Sequence, residues 1–291
     1  MHLTETQGNN GIRRFAALTA GLTLVLILAG GFVTTTRTGD TIPTWPKSWG
    51  QFEGGWWVEW SHRAVAGAVA LLVTGLATWL HLREPRRWVR RIGWIALGAV
   101  VLQALIGGFR IYTLAPVPVA IVHACFGQLV FCCMVSVALF VSQTWTRTPV
   151  DEASAAARRV GAVATFFAFL QLVAGAVTRH TGAGLLVHLI GAGGVLLFVS
   201  MFASRLMLTP LKRGAQLLVG ILGLQLLLGL ATWSITAHGF NRSHESPLLS
   251  IVTISAHVAV GAALLATSLG VTLMCHRGPV AAPRALEAVS A

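Results

Sequence analysis

The amino-acid sequence predicts an all-α polytopic membrane protein, with eight transmembrane helices arranged as two four-helix bundles related by a pseudo-twofold axis. Three observations predict it. First, 55% of the 291 residues are hydrophobic and only 10% are charged, with a mean hydropathy of +0.74, whereas a soluble chain carries about a quarter charged residues. Second, eight apolar runs reach the length of about 20 residues that a helix needs to cross a bilayer. Third, the chain repeats itself: the odd-numbered runs share one short pattern, and the even-numbered runs each carry one histidine near the same end.

The polar start "MHLTETQGNN" has no signal or transit pattern, so the first span, 14–34, is expected to remain as an uncleaved anchor. It contains "LILAGG" (26–31). The stretch 35–58 follows, rich in proline, glycine and tryptophan, and is expected to fold as a flap on the outer membrane surface. The second span, 59–80, opens with "EWSHR". The third, 92–112, carries "LQALIG" (102–107). The fourth, 119–142, carries His123 together with Cys125, Cys132 and Cys133. A charged linker, 143–159, separates the halves. The fifth span, 160–179, carries "LQLVAG" (170–175), and its outer loop shrinks to "HTGAG". The sixth, 185–207, carries His188. The seventh, 214–236, carries "LQLLLG" (224–229), and the eighth, 249–275, carries His257. "GGFVTTTRTG" (30–39) echoes "AGAVTRHTG" (174–182), and "LILAGG" puts Ile27 where the other odd spans have Gln103, Gln171 and Gln225. The expected organisation is an N-terminal half at 1–142, the cytoplasmic linker 143–159, a C-terminal half at 160–275 and a cytoplasmic tail at 276–291. Four spans is an even number, so both halves enter the membrane in one orientation, related by an axis along the membrane normal.

The net charge of +12 is a topology signal and does not call for nucleic acid. Fifteen of the 21 Lys and Arg fall on one side of the eight-span arrangement, against six (Arg37, Lys47, Arg63, Arg110, Arg179 and Arg242) on the other. The positive-inside rule places both termini in the cytoplasm. Tryptophans fall at both interfaces: Trp45, Trp49, Trp56, Trp57 and Trp60 outside, and Trp79, Trp88, Trp94 and Trp145 inside. The four cysteines, with Cys275 the last, form no C-x-x-C pair and read as packing residues. The three glutamines read as interhelical hydrogen-bonding groups.

His62, His123, His188 and His257 lie at equivalent depth, one per even span. Two such histidines in each half could face one another across a bundle and take a planar macrocycle between them as axial ligands, the way membrane four-helix bundles hold b-type haem. A glycine follows each histidine by about one turn (Gly67, Gly127, Gly191 and Gly261), leaving room for a porphyrin face. Zinc would be underfilled by such pairs, and a packing or gating role is the plainer alternative.

Glu59 breaks the symmetry. It stands three residues before His62, on the same helix face, where the second half has Leu185. It is either a carboxylate favoured by the helix dipole or a proton-handling group beside the first site only. Arg63, Arg37, Arg110 and Arg179 are candidates to pair with anionic macrocycle substituents, or to snorkel to headgroups. Arg63, next to a proposed ligand, is the strongest of them.

"GGFVTTTRTGDTIPTWPKSWG" (30–50), "EWSHR" (59–63) and the four placed histidines together resemble the haem A synthase family, over nearly the whole chain. The resemblance implies that His62 and His123 flank the substrate haem O, with Glu59 as the essential carboxylate, and that His188 and His257 hold a resident haem b. The implied reaction oxidises a ring methyl of haem O to a formyl group, through an alcohol and then a hydrate that loses water. It further implies a bacterial inner-membrane location with the haem sites toward the outer side. The implied partners are haem O synthase as substrate donor, the cytochrome c oxidase assembly machinery, an unidentified electron donor or acceptor, and the lipid bilayer. Many members carry cysteine pairs in outer loops, and none stands here, which marks a cysteine-free branch. The competing reading is a bis-histidine b-type cytochrome that carries electrons. A transporter would need broken helices or further mid-membrane ionisable residues, and the spans contain neither signal.

Overall fold

The computed structural model describes residues 3–47, 54–113, 116–237 and 248–277, and every regular element among them is helical. In chain order these are α1 (Leu3–Thr36), α2 (Trp56–Arg83), α3 (Arg87–Tyr112), α4 (Val117–Val141), α5 (Gln143–Arg147), α6 (Glu152–Ala156), α7 (Arg158–Thr181), α8 (Leu185–Leu206), α9 (Lys212–Ala237) and α10 (Leu248–His276). All but α5 and α6 are long and apolar enough to cross a membrane. The chain is a polytopic membrane protein.

The helices outrun the apolar runs that announce them, and α1 shows why. Its last turn carries Thr34, Thr35 and Thr36, whose hydroxyls donate to the carbonyls of Gly30, Gly31 and Phe32 at 3.0, 2.8 and 2.8 Å. Back-bonding of this kind hides a polar side chain against its own helix, so the helix runs on to Thr36. The flap therefore starts at Arg37, which takes a left-handed φ of 57°. It ends at Gly55, φ 83°, from which α2 starts. Residues 48–53, with Trp49, lie outside the described residues. Between α7 and α8 the connection is only Gly182–Gly184, with glycines at φ 73° and 86° making the reversal.

Each half is a ring of four helices in which sequence neighbours pack side by side, α1 closing on α4 and α7 on α10. The halves meet through α1 and α4 on one side and α7 and α10 on the other. Phe131, Cys132, Ala168, Ala262, Leu265 and Ala266 fill that seam. The four cysteines are unpaired, and Cys132 and Cys275 are packed in apolar clusters. At the end of α1 nearer the flap the contact is closer. A Cβ on Gly31 would lie 2.9 Å from Cβ of Ser255 on α10, and Arg179 of α7 donates to the Gly31 carbonyl at 3.0 Å.

The helix ends that carry most of the basic residues are tied by those residues. Arg13 donates to the Val141 carbonyl at 2.9 Å. Arg86 pairs with Glu84 at 2.6 Å and reaches the Phe140 carbonyl at 3.0 Å. Arg277 donates to the carbonyl of Thr148. Within the linker, Ser142 caps α5 through Trp145 N–H and Asp151 caps α6 through Ser154 N–H, at 3.1 and 2.8 Å. The hydrogen bonds from Ser154 hold the Asp151 carboxyl below its ordinary range.

Candidate functional site

All four histidines sit in one kind of seat, built from the preceding odd helix. A Cβ added to Gly30 would lie 3.2 Å from Cε1 of His62, one on Gly107 2.9 Å from His123, one on Gly175 3.0 Å from His188, and one on Gly229 3.0 Å from His257. The absent side chain lets each imidazole edge lie directly against helix backbone. Four residues before each seating glycine stand Leu26, Gln103, Gln171 and Gln225. Nδ1 of His62, His123 and His257 makes no well-aligned hydrogen bond. A metal-binding histidine usually turns one ring nitrogen to a backbone carbonyl, which leaves the other nitrogen as the ligand. Here Nδ1 of His188 lies 3.0 Å from the Gln171 amide instead, and the other three Nδ1 atoms are without a partner.

In the C-terminal half the rings of His188 and His257 face each other with centroids 6.3 Å apart and planes at 81°. Two imidazoles bound to opposite sides of one metal, with metal–nitrogen bonds of about 2.0 Å, have centroids separated by about 6.4 Å. The centroid separation therefore matches that of two imidazoles on one iron. In the N-terminal half His62 on α2 and His123 on α4 each lie against a glycine of the preceding helix.

The glutamines belong to the same unit. Gln103 Nε2 donates to the His123 carbonyl at 3.0 Å and lies 3.4 Å from its Nε2. Gln171 Nε2 donates to the His188 carbonyl at 2.8 Å and lies 3.0 Å from its Nδ1. Gln225 Nε2 is 3.4 Å from Nε2 of His257. Two expectations change here. Gly127, Gly191 and Gly261 accommodate these amides instead of offering an open face, and only Gly67 has open space. Since Gly30 seats His62, the residue matching the glutamines is Leu26, one position before the expected Ile27.

The glycine seats themselves escaped the sequence reading, although "LQALIG", "LQLVAG" and "LQLLLG" carry the Gln-x-x-x-Gly spacing that makes them. A branched side chain there is expected to push the ring off its seat. Gly175→Val should weaken haem binding about tenfold, equivalent to about 1.4 kcal/mol and within the range for an overpacked contact. Gly223→Val, at a position with nothing nearby, should not. Haem per chain after titration with haemin measures both.

Glu59 lies elsewhere than in open water at a helix end. It is 3% exposed. Oε2 accepts from Thr41 Oγ1 and Ile42 N–H, both at 3.0 Å, and Oε1 from Arg63 at 2.6 Å. Arg63 also donates to the carbonyls of Thr44 and Ile42, at 2.6 and 3.0 Å. The pair clasps the flap onto α2, one turn from His62. On α3 the flap is held by Tyr112, which donates to the Trp45 carbonyl, and by Gly108, beneath the Trp45 indole. Arg110 pairs with Asp40 at 3.6 Å. Arg37 is exposed, and Arg179 is committed to α1. Residues Thr41 and Ile42 had no mark in the sequence as partners of Glu59.

Residues 48–282 of the 291 match the cytochrome oxidase assembly protein family. The chain belongs to that family. Among curated relatives, it is 34% identical over 131 residues to the heme A synthase of Granulibacter bethesdensis, covering 40% of this chain and 34% of the relative. It is 27% identical over 194 residues to the heme A synthase of Lysinibacillus sphaericus, covering 62% of each. It is 23% identical over 182 residues to that of Exiguobacterium sibiricum, covering 60% of this chain and 61% of the relative. The matched part of the family's chains thus spans between about a third and three fifths of these relatives' length.

Proposed function

We propose that the chain is a haem A synthase, an enzyme that oxidises a ring methyl of haem O to the formyl group of haem A. The observation that carries the reading is the facing pair His188 and His257 at 6.3 Å, set in seats that recur at His62 and His123. Four histidines so seated, in a chain of this family, suit two haems. In this reading the halves 1–142 and 160–275 are pseudo-twofold partners with different tasks.

His188 and His257 hold a resident haem b, which supplies one-electron redox chemistry when bound. His62 and His123 hold the substrate haem O by its iron. Each oxidation removes two electrons and two protons and adds the oxygen of one water molecule, first giving the alcohol and then the hydrate, and loss of water leaves the formyl group. The electrons leave to a redox partner. Glu59 takes up the protons released at the methyl-derived carbon, since a carboxylate offers about four acceptor sites and three are filled. Arg63, with five N–H donors of which three are engaged, keeps donors for a haem carboxylate. The flap covers this site and excludes bulk water.

The chain lies in the bacterial inner membrane, with both termini, linker and tail on the cytoplasmic side and the haem sites toward the outer side. Haem O synthase supplies the substrate, and the assembly machinery of cytochrome c oxidase receives the product. It belongs to the cysteine-free branch, so thiol–disulfide chemistry has no part in turnover. The test is extraction of haem from the purified chain expressed in cells that make haem O. Haem O, the alcohol or haem A in the extract is the expected result. Haem b alone would replace this reading with that of an electron-carrying b-type cytochrome.

A further inference from the structure

We propose that Arg110 is an anion seat beneath the flap, and that it takes a propionate carboxylate of the haem held in the N-terminal half. The inference rests on the reading above that this half holds the substrate haem, and it names a part of that substrate which the site grips apart from the iron.

Arg110 stands three residues after Gly107, so it lies on the face of α3 that seats His123, one turn nearer the flap. The flap passes over it. A Cβ on Gly39 would lie 2.8 and 2.9 Å from the two terminal nitrogens of Arg110, so the guanidinium rests against flap backbone that glycine leaves open. The flap does not need Arg110 as a fastener there. Gly108 and Tyr112, on either side of it in the chain, already hold Trp45 onto α3.

This cation lacks an adequate partner. Its Nε is buried without a hydrogen bond. Its one charged neighbour among the described residues is Asp40, at 3.6 Å, against about 2.7–2.9 Å for a charge-assisted bond. The Asp40 side chain is 63% exposed and that of Arg110 26%, so the acid is satisfied by water and the cation is the buried member. A largely buried guanidinium without hydrogen bonds is costly, and its planar fork of donors matches a carboxylate bidentately. The neighbouring groups are engaged elsewhere. Glu59 is filled by Thr41, Ile42 and Arg63. Arg179, four residues after the seat of His188, donates to Gly31 and Thr35 across the seam. What fits Arg110 is an anion that arrives with the ligand, and haem carries its carboxylates side by side on one edge of the ring. Arg63 on α2 has donors left for one of them, and Arg110 on the neighbouring α3 serves the other.

The test uses the full chain in detergent, prepared without haem and titrated with haemin and with haemin dimethyl ester, which keeps the iron and the ring and lacks the carboxylate charges. In the unaltered protein one site should bind the ester more weakly than haemin. Arg110→Leu should weaken haemin binding at that site about tenfold and leave ester binding unchanged. Arg110→Lys, which keeps the charge and loses the fork, should fall between. Asp40→Asn, which removes the acidic neighbour, should bind haemin at least as well as the unaltered protein. Equal losses of haemin and ester in Arg110→Leu, or the same loss in Asp40→Asn, would make Arg110 a fastener of the flap and overturn the inference. So would haemin binding that Arg110→Leu leaves unaltered, or an unaltered protein indifferent to the ester. His62→Ala with His123→Ala separates the two failures. If that double variant keeps the haem count of the unaltered protein, the N-terminal half holds no haem, and the proposed function falls together with this inference. If it loses one haem while Arg110→Leu does not discriminate haemin from ester, this inference alone falls.

Discussion

His257→Ala is expected to purify with no more than about half the haem of the unaltered protein, and to lose the low-spin absorption of a bis-histidine iron from the C-terminal site. The side chain lost is one of two facing imidazoles 6.3 Å apart, and axial ligation is what holds a b-type haem. His188 alone would leave the opposite face of the iron to a weak ligand. The seat on Gly229 would then hold only a methyl group, too short to reach the metal. His188→Ala should behave alike, because its seat on Gly175 has the same dimensions. Haem-to-protein ratios and absorption spectra of both variants decide the matter. Unaltered haem content in both would remove the C-terminal haem site.

Glu59→Gln is expected to keep haem b and to lose haem A formation by about a hundredfold or more, the scale of a missing acid–base group. Haem O or the alcohol should accumulate. The clasp complicates the experiment and supplies its control. Glutamine has one acceptor oxygen, so its NH₂ must turn toward Arg63 or toward the donors of Thr41 and Ile42, and the flap loosens. Thr41→Val removes one of those donors without touching the carboxylate, at about 1 kcal/mol for a lost hydrogen bond. If Glu59 handles protons, Thr41→Val retains most activity and Glu59→Asp loses less than Glu59→Gln. Comparable losses in Glu59→Gln and Thr41→Val would reduce Glu59 to a fastener of the flap.

The eight spans were legible because hydrocarbon thickness imposes a minimum length on apolar runs. Their ends were less so, since the threonines after Gly31 satisfy themselves on their own helix and extend it past the apolar stretch. The four histidines stood out through repetition. The register of the first repeat did not, for a physical reason: α1 has two adjacent glycines with different tasks. Gly30 seats His62 and Gly31 admits Ser255, and a string of letters does not say which is which. The partners of Glu59 were hidden in the flap, at separations of 17 and 18 residues without periodicity. The place of Arg63 beside His62 pointed to a haem contact, and its described bonds, which go to the flap and to Glu59, were not legible from that spacing.

The contact of α1 with α10 sets an order on biogenesis. α1 is made first and α10 last, yet Gly31 lies against Ser255, two residues before His257, while Gly30 seats His62. Domains ordinarily settle as they leave the ribosome, N-terminal first. Here the contact of the first helix with Ser255 forms only after the last helix is made, although the neighbouring seat of Gly30 against His62 joins the first two helices. A truncated chain lacking α10 loses the C-terminal ligand and the support behind the N-terminal one in a single stroke.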